Sequence, residues 1–182
     1  MTKKVDVEIT GIVPMLHNRF STEEHGENKS KGKKKVYVPT EEAEKLLYKN
    51  PDGSIFQPAE HIFQSMVRAA TDFKFEGKKS YKDVITSGVS VMPENIPLIT
   101  KLPYEIDARR VVVRGANKAA VVRWRPKFNQ WKLNFTIDIL DDENISVSVL
   151  KDILEKAGAT KGIGDYRPRF GRFMVTHFKE CE

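Results

Sequence analysis

The densest concentration of chemistry in this 182-residue chain is the run Gly162-Ile163-Gly164-Asp165-Tyr166-Arg167-Pro168-Arg169-Phe170-Gly171-Arg172-Phe173, with three glycines, three arginines and three aromatics. Glycine lets backbone amides approach a phosphate closely or adopt φ > 0, while arginine grips phosphate bidentately and stacks on bases. Gly162, Gly164, Tyr166, Arg167, Arg169, Gly171 and Arg172 are therefore expected to form a phosphate cradle. The competing reading is a tight, well-packed loop whose arginines bind carboxylates. The run is not a P-loop, because GxxxxGK[ST] is absent.

A second constellation is Arg109, Arg110, Arg114, Lys118, Arg123, Arg125 and Lys127, a cationic run interrupted by valines. The spacing predicts a hairpin in which 119–125 pairs with 131–139 through a turn at 126–129. Alternation then sets Val122 and Trp124 on one side and Arg123 and Arg125 on the other, where Lys132 and Asn134 join them. That side is expected to be the open face of a sheet, the surface on which an RRM-like fold meets a single strand. Trp124 and Trp131 are expected to pack in the core. A solvated charged face is the ordinary alternative.

His17, Asn18 and Arg19 follow the first strand and are expected to contact backbone phosphate or cap a turn. His17 is also a conceivable general base for RNA cleavage. The four histidines, His17, His25, His61 and His177, show no HExxH spacing and no plausible carboxylate triad, so neither a metal site nor a cofactor is expected.

A net charge of +6 suits a polyanionic partner, because neutralising phosphates releases counterions. With 40% hydrophobic and 31% charged residues the chain has the balance of a globular protein, and no stretch is apolar enough to span a membrane. One cysteine, Cys181, excludes an internal disulfide framework, and the first residues lead into a strand without an apolar signal region. A cytoplasmic location is expected.

The elements that must position these residues are legible from periodicity. Val5, Val7 and Ile9 alternate with polar residues as a first strand; Ile62, Phe63, Met66, Val67 and Ala70 follow Pro58 as one helical stripe. Trp131, Leu133, Phe135, Ile137 and Ile139 mark a half-buried strand. Ser146 caps a helix with Val149, Leu150, Ile153, Leu154 and Ala157 on one face and Gly158 at its C-cap. Phe173 to Phe178 reads as the last strand. The fold class is α+β: a ferredoxin-like, RRM-like split βαβ with a four-stranded antiparallel sheet and two helices on one face. One domain over 1–182 is expected, with insertions at about 21–54 and 75–118, the first holding a basic stretch with Lys29, Lys31, Lys33, Lys34 and Lys35. Thr40 is expected to N-cap a short helix.

Gly162-x-Gly164 followed by Gly171-Arg172-Phe173 resembles the glycine-rich loop of the RAMP superfamily, whose members build RNA-binding and RNA-processing subunits of CRISPR effector complexes. Ile55-Phe56-Gln57-Pro58-Ala59-Glu60-His61-Ile62, leading to Arg68, is similar to that superfamily's "IPGSSLKGALR"-type entry into its first helix. Ile9-Thr10-Gly11-Ile12-Val13-Pro14-Met15-Leu16 resembles its first strand and exit. The three anchors stand in the expected order, and the chain looks most like the backbone subunits that polymerise along a guide RNA.

The resemblance implies a single-strand RNA-binding subunit of a CRISPR-type ribonucleoprotein, coating the guide as a head-to-tail oligomer. Its partners would be single-stranded nucleic acid, RNA rather than DNA, copies of itself and other CRISPR effector subunits. Two alternatives stay open: a metal-independent endoribonuclease of the same superfamily using His17, and a phage single-stranded DNA-binding or annealing protein.

Overall fold

The alternation of Val5, Val7 and Ile9 with Asp6, Glu8 and Thr10 forms β1 (Lys3–Gly11), whose apolar residues are buried. The computed structural model describes residues 2–20, 38–112 and 120–181. Lys29, Lys31, Lys33, Lys34, Lys35, Arg114 and Lys118 lie outside the described residues. The chain continues through β2 (Met15–Leu16), α1 (Pro39–Lys45), β3 (Phe56–Pro58), α2 (Ala59–Ala70), β4 (Lys74–Glu76), β5 (Lys79–Ser80) and α3 (Lys82–Gly88). It then forms β6 (Val89–Met92), β7 (Asn95–Pro97), β8 (Glu105–Val112), β9 (Ala120–Phe128), β10 (Lys132–Ile139), α4 (Val147–Thr160) and β11 (Phe173–Glu180).

The main sheet has the order β11-β1-β10-β6, and every neighbouring pair is antiparallel. Val7 stands opposite Phe135 and Ile9 opposite Leu133, so both apolar sets share one face. Ile62 and Met66 of α2 and Leu150, Ile153 and Leu154 of α4 join those residues in a single core, with the two helices packed on each other. The result is a mixed α/β structure with a four-stranded antiparallel sheet, compatible with a ferredoxin-like fold. Among the described residues no helix is long and apolar enough to cross a membrane.

Helix ends follow local chemistry. The Ser146 hydroxyl accepts from the Val149 amide at 3.2 Å, a cap worth about 1 kcal/mol. Gly158 is not the C-cap. It lies inside α4, where an added Cβ would stand 2.3 Å from the Phe173 carbonyl, so the glycine admits β11 against the helix. The chain leaves the helix at Gly162, with φ of +68°. In α1, Val38 rather than Thr40 occupies the cap position, and Pro39 begins the helix.

The expected hairpin between 119–125 and 131–139 does not form. β10 has β1 and β6 as its neighbours, whereas β9 pairs with β8 and with β2 in a separate three-stranded sheet. The segment after residue 93 is likewise no free loop: β7 pairs with β3, and Ile99 bridges Lys132.

Candidate nucleic-acid interface

The glycine-rich loop folds back onto the exit of β1. The Asp165 amide donates to the Leu16 carbonyl at 2.9 Å, the Gly171 amide to Pro14 at 2.8 Å and the Ile163 amide to Gly171 at 2.9 Å. A Cβ on Gly171 would lie 1.7 Å from the Ile163 carbonyl and one on Gly164 2.6 Å from that of Leu16. This corrects the amide-cradle expectation. The amides of Gly162, Ile163, Asp165 and Gly171 are satisfied internally, and the glycines serve a left-handed backbone and close packing.

What the loop presents outward is side chains. Arg169 and Arg172 are exposed, Arg167 is half-buried, and none of the three has an ion pair among the described residues. Burial, and after it the charge of Arg68 from the end of α2, push the Arg167 guanidinium below its ordinary value. The Asp165 carboxylate offsets this only in part, since it is already 2.7 Å from Arg125, and an anion would relieve the remaining repulsion. Exposed Arg19, just past the β1 exit, acts electrostatically on the same Tyr48 as Arg167 does. The three sequence anchors therefore converge: the loop on the β1 exit, and Arg68 of α2 beside Arg167.

Beneath this surface lies a polar relay. The Tyr48 amide donates to His17 Nδ1 at 3.4 Å, and His17 Nε2 donates to Gln57 Oε1 at 3.1 Å. The Gln57 amide nitrogen then donates to His61 Nδ1. His17 is fully buried against Tyr48 and Phe128, and burial drives its pKa down to about 3. It is thus enclosed, with no surface open to a phosphate or to a substrate's proton. Burial, and then Arg167, also lower the pKa of His61. Tyr48 was missed by sequence reasoning, since a lone tyrosine carries no motif; Gln57 and His61 both sit within the recognisable segment 55–62, but nothing in the sequence links either of them to His17. Asn18 is exposed, and its carbonyl accepts from the Tyr48 hydroxyl at 3.4 Å.

The β8–β9 constellation resolves differently from the expectation. Arg125 is 7% exposed and its Nε lies 2.7 Å from Asp165 Oδ2; Arg123 donates to Glu42 of α1 at 3.1 Å; Lys127 pairs with Glu105 at 2.7 Å. Arg109 stands opposite Arg123 in the register and is held by Asp107 through Nε at 2.6 Å and Nη2 at 3.0 Å. Each cation facing the body of the protein is thus neutralised, as directly opposed like charges require. The face assignment is the reverse of the expected one: the arginines point inward, Val122 is 48% exposed and Trp124 is half-buried. Arg110, opposite Val122, is exposed on the outer side.

The open face of the main sheet is not cationic either. Lys132 bonds Glu8 at 3.0 Å, and the Thr176 hydroxyl together with Lys132 holds the Glu8 carboxyl below the usual range. Asp6 accepts from Thr136, and Asp138 lies near Lys4. Asn134 lines the shallow depression between these groups. Its charges are balanced, and the ring the depression presents is the imidazole of exposed His177 rather than the paired aromatics of an RRM sheet. Trp131 is buried, as expected, and donates to the Val13 carbonyl at 3.0 Å. No cluster of three His, Cys, Asp or Glu among the described residues is placed to hold a metal ion.

No family model matches the chain, and no curated protein matches it. Among solved structures it is similar to a chain of the "Cryo-EM structure of the Type III-B Cmr-beta bound to cognate target RNA", with a TM-score of 0.58 and 13% identity. The match covers 100% of this chain and 61% of that one, so the present chain spans under two thirds of the length of the chain it resembles. At such identity the likeness is one of fold.

Proposed function

We propose that this chain is a single-strand RNA-binding subunit of a CRISPR-type ribonucleoprotein, in which copies lie head to tail along the guide. The observation that carries the reading is the packing of the glycine-rich loop on the β1 exit, with Arg167 under the charge of Arg68 from the end of α2 and neither arginine in an ion pair among the described residues. Arg19, Arg169 and Arg172 extend this cationic ground, and guanidiniums in such a setting bind a sugar-phosphate backbone irrespective of sequence. The sheet order is read as the split βαβ of the RAMP superfamily, with β1, α2, β6, β10, α4 and β11 as its core. Similarity in fold to a chain from an RNA-bound Type III-B Cmr assembly supports a role in a CRISPR-associated RNA complex. The place of action would be the cytoplasm.

The contacts assigned to the backbone are Arg19, Arg68, Arg167, Arg169 and Arg172, with Asn18 and Arg110 at the margins. His17, Arg123, Arg125, Lys127 and Lys132 support the structure around them. Purifying the protein from its host and sequencing the nucleic acid that accompanies it tests the reading. RNA of repeated guide-like sequence is expected. Preference for DNA in competition between matched oligonucleotides would favour a single-stranded DNA-binding protein instead, and failure to bind either strand rejects the proposal.

A further inference from the structure

Tyr166 is the loop residue with the most unusual setting. Its φ of +59° is rare for a residue with a side chain, yet the residue is 46% exposed rather than packed away. The ring is nonetheless held from two directions. The Arg109 guanidinium lies over it at 5.5 Å from the centroid, and Phe170 meets it edge-on, with centroids 6.1 Å apart and planes at 79°. Arg109 in turn is clamped: it lies 4.7 Å from the Phe170 centroid, and Asp107 grips it through two hydrogen bonds.

An exposed tyrosine is commonplace, but one whose backbone is forced into the left-handed region and whose ring is braced by a cation that is itself fixed is not. The bracing removes the rotamer freedom that a stacking partner would otherwise have to quench. Arg167 follows directly and Arg169 is exposed nearby, so a chain whose phosphates meet those guanidiniums brings a base within reach of the ring.

We propose that Tyr166 is a stacking platform for one unpaired base of the bound strand, and that Arg109 is the positioning residue that holds its ring. The inference rests on the single-strand-binding reading above. It assigns Arg109 a task other than phosphate contact and makes part of the affinity depend on bases without depending on their identity, because every base offers a π-face.

Binding of a labelled oligouridylate is to be compared with that of the same sugar-phosphate strand lacking all bases. Wild type should prefer the intact strand by about fivefold or more. Tyr166→Asn removes the ring while tolerating the left-handed backbone, and should narrow that gap by about the same factor. Arg109→Lys keeps the charge but loses the planar brace and should narrow the gap too, which decides the matter should the first variant misfold. An intact-to-abasic ratio unchanged in both variants, or equal binding of the two strands by wild type, overturns this inference alone. Binding of neither strand overturns it together with the proposed function.

Discussion

Arg125 Nε and Asp165 Oδ2 stand 2.7 Å apart, with the arginine side chain 8% exposed and the aspartate 29%. The pair ties β9 to the glycine-rich loop and, through the loop, to the exit of β1. Removing the aspartate strands a buried guanidinium. Asp165→Asn is expected to cost about 3 kcal/mol in urea unfolding, while Arg110→Ala, on the exposed side of the same arm, should cost less than about 0.5 kcal/mol. Equal effects from the two would refute a structural pair.

Stability should also follow the protonation of His17. Its folded pKa of about 3 lies below the ordinary 6.5, so the unfolded chain takes a proton that the folded chain refuses. The stabilising effect of keeping it neutral is complete above pH 6.5 and is lost as pH falls toward 3, at about 1.4 kcal/mol per pH unit. His61 is shifted in the same direction and adds to the slope below pH 6.5. His17→Gln should flatten the dependence between about pH 6 and 5, a window above the carboxylate range. Urea midpoints measured across that window check it, and an unaltered slope would count against a neutral buried His17.

The loop arginines are expected to act on all sequences alike. Replacing Arg167, Arg169 and Arg172 together by alanine should weaken single-strand binding uniformly and reduce the slope of log affinity against log salt by about 2. Filter binding at several salt concentrations reads both quantities. A loss confined to particular sequences would mean that these residues read bases instead.

Two glycines separate backbone conformation from crowding. Gly53 and Gly171 both have positive φ, at +86° and +74°, but only at Gly171 does an added Cβ strike backbone. Gly53→Ala should cost about 1 kcal/mol and leave the fold intact. Gly171→Ala should abolish cooperative unfolding, followed by circular dichroism, because the Ile163 carbonyl has nowhere to go.

Assembly is expected to be open and templated by the strand. Mass measured by light scattering should rise in equal steps as the oligonucleotide is lengthened, since a heterologous contact whose rotation does not close adds subunits until the strand ends. Deleting residues 24–35 should remove the steps while preserving single-subunit binding. One fixed stoichiometry on short and long strands would exclude a filament.

Strict alternation with strongly apolar residues made β1 and β10 readable from the chain alone, as did the apolar stripes of α2 and α4 and the hydroxyl at Ser146. In each, local chemistry leaves one way to bury the side chains. The three anchors at the β1 exit, the start of α2 and the glycine-rich loop were legible too, as an order of segments. Their convergence, with the Asp165 amide on the Leu16 carbonyl, was not, because hydrogen bonds between distant segments leave no periodic trace.

The β9 segment shows where local pattern ends. Alternation put Arg123 and Arg125 on one side and Val122 and Trp124 on the other, which is correct, but it could not say which side faces the protein. Burying valine is the default when nothing else is known. Here Glu42 of α1 supplies the countercharge for Arg123 and Asp165 of the loop the one that makes burial of Arg125 tolerable, and together they turn the strand over. Sequence determined the strands, the helices and the loop rich in arginine and glycine; tertiary structure decided which cations remain free for a ligand, because an ion pair depends on carboxylates that only folding brings near.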